Sequence, residues 1–223
     1  MGHTTLVRVP IDGQALEGQL STSPTAHGIV LFAHGSGSSR HSPRNQYVAR
    51  TLEGRGLATL LIDLLTPEEE RLDVLTTQYR FDMARLAGRL VTIVDWLRAR
   101  EDTAGLPIGM FGASTGAGAA LMAAADRPHE VAAVVSRGGR PDLAGSSLAR
   151  VTAPTLLIVG GLDAPVIQLN RDAIARMRGE VALEIVPGAT HLFEEPGTLE
   201  QVAKLAGGWF DRHLRPAVSV PQA

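Results

Sequence analysis

Three absences narrow the chemistry open to this chain of 223 residues. It contains no cysteine, which excludes disulfides, a thiolate nucleophile and cysteine-ligated metals. Lysine occurs only at Lys204 and the other 20 basic residues are arginine, so a lysine Schiff base elsewhere and a lysine-dependent phosphate loop are excluded. No apolar run approaches the length of a membrane span, and the first 20 residues lack the apolar core of a signal peptide.

The charges are nearly balanced, with 21 Lys and Arg against 23 Asp and Glu and a formal net charge of −2. Such a chain has no basic field that would attract nucleic acid or an anionic membrane. No local cluster of histidine and carboxylate side chains has metal-ligand spacing. We therefore expect a soluble, cytoplasmic protein that acts on a small molecule without a metal or cofactor. The sequence does not indicate its oligomeric state.

The apolar pattern predicts one α/β domain over residues 1–223, with residues 216–223 as a loose tail. Apolar runs alternate with helical stripes, which is typical of a mostly parallel sheet of about eight strands with helices on both faces. A hairpin is predicted around Asp12-Gly13. Six further runs are rich in Val, Ile and Leu without alternation, as in strands buried on both faces: 28–35, 58–65, 107–114, 131–139, 154–161 and 181–188.

Four amphipathic or alanine-rich segments predict the main helices. Apolar residues from Tyr79 to Leu97 predict a helix that ends near Arg100. The capping signature Thr66-Pro67-Glu68-Glu69 predicts a short helix before it. The other helices are expected at 115–127, at 166–178 and from about 199 to 213.

The stretch around Ser114 allows two interpretations. Gly112, Gly116 and Gly118 fit a glycine-rich nucleotide loop, but Gly-Ala-Ser-Thr-Gly is also the Gly-x-Ser-x-Gly pattern of a nucleophile elbow. Ser114 ends a predicted strand and Thr115 begins a predicted helix, which is the context that the elbow needs. The small neighbours would let the turn lie close to other backbone segments while the serine takes the strained conformation.

A serine nucleophile needs a base, and later strands offer one. Asp163 follows the strand 154–161 and His191 follows the strand 181–188, so the order is nucleophile, acid, base. All three side chains are expected at the carboxyl edge of the sheet. Taken alone, Asp163 could be a helix cap and His191 a loop residue, and three other carboxylates could serve as the acid: Asp142, Glu194 and Glu195.

The oxyanion of a tetrahedral intermediate needs backbone donors. The N–H of Thr115 is one candidate, and the N–H of Ser36, in the His34-Gly35-Ser36-Gly37 loop, is the other. We expect His34 to hold this loop through hydrogen bonds and not to act as the base, because it precedes the nucleophile.

The chain resembles the α/β-hydrolases, over about residues 28–214, and within them the compact branch similar to dienelactone hydrolase. The resemblance rests on the H-G-x-G loop at His34, the elbow at Ser114, Gly-Gly-Leu-Asp-Ala-Pro at Asp163 and Gly-Ala-Thr-His-Leu-Phe at His191. It implies hydrolysis of esters or related acyl compounds. Dienelactone hydrolase itself has a cysteine nucleophile, so its lactone substrate is not implied for a chain with Ser114.

The segment 140–153 is too short for a cap domain, so we expect an open mouth lined by the loops 38–47, 64–67, 136–140 and 164–167. Arg137, Arg40 and His41 are candidates for binding an acidic group of the substrate. A solvated surface role is favoured for Arg40, as it is for Arg44 and Arg140 in the same loops. For Arg137, a surface role and a substrate contact are equally favoured.

Two other functions remain open. A hydrolase fold can serve as an inert binding or receptor module, although such proteins commonly lose a triad member. A short-chain dehydrogenase is disfavoured, because Tyr47 and Tyr79 lack a lysine at the fourth following position and several strands precede the glycine-rich stretch. Among enzymes, the same triad could also cleave thioesters or lactones, or carry out perhydrolysis or acyl transfer.

Overall fold

The computed structural model describes residues 2–215, which form an eight-stranded sheet between two layers of helices. The order across the sheet is β1-β2-β4-β3-β5-β6-β7-β8. Strand β2 is antiparallel to both of its neighbours. The six strands that follow it across the sheet, β4-β3-β5-β6-β7-β8, pair in parallel. The strands are β1 His3–Ile11, β2 Gln14–Thr22, β3 Ile29–Ala33, β4 Ala58–Ile62, β5 Ile108–Ala113, β6 Val131–Arg137, β7 Thr155–Gly160 and β8 Val181–Val186. The predicted fold class is confirmed, and the predicted tail at 216–223 lies outside the described residues.

Within residues 2–215, six α-helices connect or follow the parallel strands: α1 Pro43–Glu53, α2 Pro67–Thr76, α3 Met83–Ala99, α4 Thr115–Asp126, α5 Ala164–Ile174 and α6 Thr198–His213. The capping box predicted for α2 is present, since Thr66 and Glu69 bond each other's backbone N–H groups. Helix α1 corrects the prediction of a continuous loop over 38–47. Ser42 caps it by accepting the Asn45 N–H, and Pro43 occupies the first turn.

Helix α3 begins later than the apolar pattern predicts. The buried carboxylate of Asp73 accepts the backbone N–H groups of Tyr79 and Arg80, at 2.7 and 3.0 Å, and holds them in a loop. Asp82 then caps the helix by accepting the Arg85 N–H. Between β6 and β7 there are only short 3₁₀ turns over Pro141–Arg150, so the described chain carries no cap domain there.

Two apolar cores cover the two faces of the sheet. Along β3, Ile29 and Leu31 belong to the core beneath α3 and α4, whereas Val30 and Phe32 belong to the core beneath α1 and α6. Each such fully buried side chain contributes about 1.5–3 kcal/mol. Because both faces are covered, polar groups collect at the carboxyl edge of the parallel strands, where the site lies.

Candidate active site

Ser114 occupies a strained turn between β5 and α4. Its φ and ψ are 51° and −121°, values that a residue with a side chain rarely adopts. Such a conformation costs on the order of 1–3 kcal/mol and persists only where the surroundings enforce it. Ser114 also makes no capping bond to α4, so its hydroxyl remains available for other partners.

Two glycines make this turn possible. A Cβ atom on Gly116 would overlap the carbonyl oxygens of Ala33 and His34, at the end of β3. A Cβ atom on Gly112 would overlap the backbone of Ala117 in α4. The predicted reason for the small residues around the serine is confirmed, because the turn lies directly against its backbone neighbours.

His191 lies between Ser114 and Asp163. Its Nε2 atom is 3.3 Å from Ser114 Oγ, and its Nδ1 atom is 2.7 Å from Asp163 Oδ2. Since a carboxylate only accepts, Nδ1 carries the proton in this arrangement and Nε2 is left to accept from the serine hydroxyl. The structure thus brings together the three residues that the sequence selected for nucleophile, acid and base.

Backbone bonds align the loops that carry the acid and the base. The N–H of Gly161 donates to Val186 O at 2.8 Å, and the N–H of Leu162 donates to Ala189 O at 2.9 Å. Glu195 accepts from the backbone N–H and the hydroxyl of Thr190, directly before His191. The loops after β7 and β8 are therefore tied to each other.

The other candidate acids have partners of their own. Asp142 forms two bonds with Arg140, at 2.8 and 2.7 Å, and Glu194 pairs with Arg44 at 2.9 Å. Glu195 is held by the threonine named above. Asp163 stands at the cap position of α5, yet its side chain makes no capping bond there. Among the alternatives, the geometry favours Asp163 as the partner of the histidine.

His34 holds the loop that follows β3, as predicted. Its Nε2 atom accepts the Leu64 N–H at 3.0 Å, so its Nδ1–H donates to Gly35 O at 2.9 Å. Burial lowers the pKa of His34 below its usual value, against weaker opposing effects from that backbone bond and from Asp63 and Glu70. A neutral imidazole with both nitrogens engaged is a structural group.

The Ser36 N–H has a partner that the sequence did not reveal. It donates to Thr115 Oγ1 at 2.8 Å, and Thr115 is only 4% exposed. The two residues predicted to form the oxyanion hole are thus in contact. The Ser36 N–H, which was expected to donate to the oxyanion, donates in this structure to the hydroxyl oxygen of Thr115.

The arginines near the mouth differ in their partners. Arg40 is bound to Glu17 and Asp63, and the two further arginines of the loops, Arg44 and Arg140, have the carboxylate partners described above. A substrate contact from the candidate Arg40 is therefore not supported, because its charge is already compensated. His41 is exposed, and its proposed role stays a prediction.

Arg137 has no carboxylate within ion-pair distance among residues 2–215 and is 7% exposed. Its Nη2 atom donates to Asn45 Oδ1 at 3.5 Å, its Nε atom is buried without a partner, and the Phe193 ring lies 5.9 Å away. Burial, together with the nearby charge of Arg44, lowers the pKa of Arg137 to about 10. The side chain thus stays charged at neutral pH without a counter-ion.

A cavity of about 400 Å³ lies on the acidic side of the His34 loop. Its lining includes Glu17, Asp63 and Glu70. Ser114, Asp163 and His191 do not line it. No group of three or more His, Asp or Glu side chains within residues 2–215 is arranged to hold a metal ion. In the same range, no helix combines the length and apolarity that crossing a bilayer requires, and the cytoplasmic location stays a prediction.

The sheet order, the elbow serine after β5 and the histidine after β8 define an α/β hydrolase. The model of the dienelactone hydrolase family matches residues 17–209, and the chain belongs to that family. The resemblance noted from the sequence is thereby confirmed.

A solved structure at 58% identity supports this assignment. The crystal structure of dienelactone hydrolase from Anabaena variabilis superposes with a TM-score of 0.94 and covers 96% of this chain and 99% of that chain. Est1E from Butyrivibrio proteoclasticus shares the fold at 16% identity, with a TM-score of 0.77 over 93% of this chain and 98% of that chain. Family and fold together support hydrolase activity.

Two curated proteins of Mycobacterium tuberculosis, from different strains, are 64% identical over 197 residues, or 88% of this chain. Each carries the name "Putative phosphoribosyl transferase". This chain spans 44% of their length, so their names describe proteins more than twice as long as the shared part.

Proposed function

We propose that the chain is a serine hydrolase that cleaves carboxylic esters, or related thioesters or lactones, of small substrates through an acyl-enzyme. The observation that carries this proposal is the strained Ser114, within hydrogen-bond reach of His191, which is itself bonded to Asp163. A strained turn that exposes a hydroxyl to a base has no evident value for stability.

In the proposed mechanism, Ser114 Oγ attacks the carbonyl carbon of the substrate while its proton passes to His191 Nε2. Asp163 holds the imidazole in the required tautomer and stabilises the cation that forms. His191 then gives the proton to the leaving alkoxide, and the acyl-enzyme remains. A water molecule, deprotonated by the same nitrogen, attacks the acyl carbon, and Ser114 leaves with the proton returned.

The negative oxygen of each tetrahedral intermediate needs donors near the start of α4. The N–H of Thr115 lies in the first turn of this helix, where the helix dipole also favours negative charge. The sequence names the Ser36 N–H as the second candidate donor. In the free chain it is bonded to the Thr115 hydroxyl.

We further propose that the substrate is small and carries an acidic group. With only 3₁₀ turns between β6 and β7, little apolar surface is available there to enclose a long acyl chain. The backbone of Arg137 adjoins the turn at Ser114, since its carbonyl oxygen accepts the Ser114 N–H at 3.2 Å. A carboxylate that pairs with this uncompensated cation would gain roughly 1.5–3 kcal/mol.

The transferase name of the mycobacterial proteins does not change this proposal. The matched part of those proteins corresponds to residues of the dienelactone hydrolase family, and the site described above belongs to that part. We therefore propose hydrolysis for the shared portion and assign no phosphoribosyl transfer to it.

Covalent labelling tests the proposal. A fluorophosphonate probe should add to the folded protein at Ser114, and intact-mass spectra should show one adduct. Ser114→Ala should abolish the adduct, whereas Ser146→Ala, which alters an exposed serine, should label like wild type. A wild-type protein that forms no adduct and hydrolyses none of a panel of activated esters, thioesters and lactones would instead be an inert binding module.

A further inference from the structure

The Thr115 side chain lies between the nucleophile turn and the loop after β3. It is almost fully buried, and its Oγ1 atom accepts the Ser36 N–H at 2.8 Å. The loop approaches the turn so closely that a Cβ atom on Gly35 would lie 3.2 Å from Ala113 O and from Ser114 Cβ. The hydroxyl of Thr115 therefore lies where the loop after β3 meets the nucleophile turn.

The hydroxyl proton of Thr115 has no acceptor among residues 2–215. Most of the other buried threonines among the described residues do have an acceptor. Four others donate their hydroxyl protons at 2.5 to 2.9 Å: Thr59 to Glu53, Thr103 to Leu97 O, Thr155 to Ala153 O and Thr198 to Glu195 O. The buried Thr66 hydroxyl also only accepts, but that residue caps α2, whereas the cap position of α4 is Ser114.

The helix position explains why this proton is left over. Threonines within helices, such as Thr51 and Thr92, donate to the carbonyl oxygen four residues earlier. For Thr115 that residue is Phe111, whose carbonyl belongs to β5 and not to a preceding helical turn. The oxygen accepts from Ser36, and the hydroxyl proton remains available for another acceptor.

We propose that the Thr115 hydroxyl is a direct donor to the oxyanion, in addition to the Thr115 backbone N–H. This inference rests on the proposed function. The Ser36 N–H acts through Thr115: by donating into the hydroxyl oxygen it orients the hydroxyl and makes its proton a stronger donor. Thr115 is then a catalytic residue, and Ser36 is a positioning residue.

The inference differs from the expectation drawn from the sequence. If Ser36 were a direct donor, the oxyanion would have to displace the Thr115 oxygen from it, and the hydroxyl would compete with the intermediate. If the hydroxyl is itself the donor, no displacement is needed and the site is organised before substrate arrives. The two arrangements predict opposite effects of removing the hydroxyl.

Three substitutions separate them. Thr115→Val keeps the shape and removes the hydroxyl, Thr115→Ala removes it in a helix already rich in alanine, and Thr115→Ser keeps it. We expect kcat on a small activated ester to fall about 10-fold to 100-fold in Thr115→Val and in Thr115→Ala, with little change in KM. Thr115→Ser should stay within a few-fold of wild type. Thr92→Val, on the exposed side of α3, is the matched control.

Inhibition by a phenylboronic acid, which forms a tetrahedral adduct on the serine, gives a second measurement. Its affinity should fall in parallel with kcat in the two variants without a hydroxyl, and the serine variant should restore it. A purely structural role would lower the melting temperature without this parallel. Unchanged or faster turnover in Thr115→Val, or in Thr115→Ala if the valine variant does not fold, overturns the inference.

The result is distinguishable from failure of the proposed function. Fluorophosphonate labelling of Ser114 in wild type is measured first, and its absence would overturn the proposed function and this inference together. Labelling of wild type at Ser114, with no loss of kcat or boronate affinity in the valine and alanine variants, would overturn the inference alone.

Discussion

Asp163 Oδ2 lies 2.7 Å from His191 Nδ1, although the two residues follow different strands. In the proposed mechanism, the carboxylate fixes the ring so that the other nitrogen accepts the serine proton. Asp163→Asn should therefore lower kcat by orders of magnitude, and His191→Ala should lower it by roughly 10³-fold or more. Steady-state rates on one activated ester, with circular dichroism to show that each variant folds, check both values.

Asp142 provides the control for the acid. Its carboxylate is bonded to Arg140 on both oxygens, so Asp142→Asn should keep near wild-type turnover. The reverse pattern, with full activity in Asp163→Asn and a large loss in Asp142→Asn, would move the acid to Asp142.

Arg137 should determine the preference for substrate charge. The half-ester of a short dicarboxylic acid should be hydrolysed with a higher kcat/KM than its neutral methyl-capped analogue, because only the former can pair with the buried guanidinium. Arg137→Gln should remove this difference and leave the neutral substrate nearly unchanged. The four rate constants are compared at two salt concentrations.

Arg140→Gln serves as the matched control, since that arginine already has a carboxylate partner. A preference for the half-ester that persists in Arg137→Gln would exclude Arg137 as the anion contact. A clear preference for long-chain esters would contradict the proposal of a small substrate.

The same arginine should reduce the stability of the free protein. A buried charge without a counter-ion is unfavourable, so Arg137→Met should raise the free energy of unfolding by about 1–2 kcal/mol. The pKa of Arg137 is lowered to about 10, so above that pH the folded state releases a proton that the unfolded state keeps. The free energy of unfolding of the wild type should then rise with pH above about 10. The difference in free energy of unfolding between Arg137→Met and wild type should become smaller over the same range. Denaturant unfolding at pH 7 and above pH 10 measures this, and a destabilised Arg137→Met variant would contradict it.

His34 should make the loop after β3 sensitive to acid. Because burial lowers the pKa of His34, the unfolded state takes up a proton below pH about 6.5 before the folded state does. The contribution of the neutral His34 to the free energy of unfolding is therefore fully present above pH about 6.5. It declines as the pH falls from there toward the lowered pKa of His34 in the folded state. Denaturant unfolding from pH 7 to pH 5 should show a smaller decline in His34→Gln than in wild type.

His213 has to be considered in that comparison, because burial lowers its pKa as well. The comparison of wild type with His34→Gln is therefore repeated in a His213→Gln background, where this second contribution is absent. Equal pH slopes of unfolding in wild type and His34→Gln would show that His34 is not the titrating group.

Local signals in the sequence account for most of the fold. Strands buried on both faces appear as unbroken Val, Ile and Leu runs, and the cap at Thr66-Pro67 marks α2. Helix α1 begins with a similar Ser42-Pro43 pair, but Asn45 replaces the capping glutamate and the helix is polar, so periodicity did not reveal it. The start of α3 depends on the buried Asp73, and burial of a carboxylate is decided by distant packing.

The site could be predicted to a similar extent. Ser114, Asp163 and His191 follow from motif, order and position at strand ends, which topology converts into proximity. The contact between Ser36 and Thr115 joins residues 79 positions apart, and no local pattern encodes it. The pairing of Arg40 with Glu17 and Asp63 likewise depends on how β2, β4 and the loop after β3 meet.

Strand β8 lies at the edge of the sheet, with β7 as its one neighbour, and only Val186 among its residues is buried. Strand β5, which carries the nucleophile turn, lies between β3 and β6 and is buried throughout. Amide protons of β8 should therefore exchange with solvent through openings of lower free energy than those of β5. On warming, His191 would leave Ser114 through such a sub-global opening while the turn at Ser114 keeps its shape, so the proposed hydrolytic activity would be lost reversibly before the molecule as a whole unfolds.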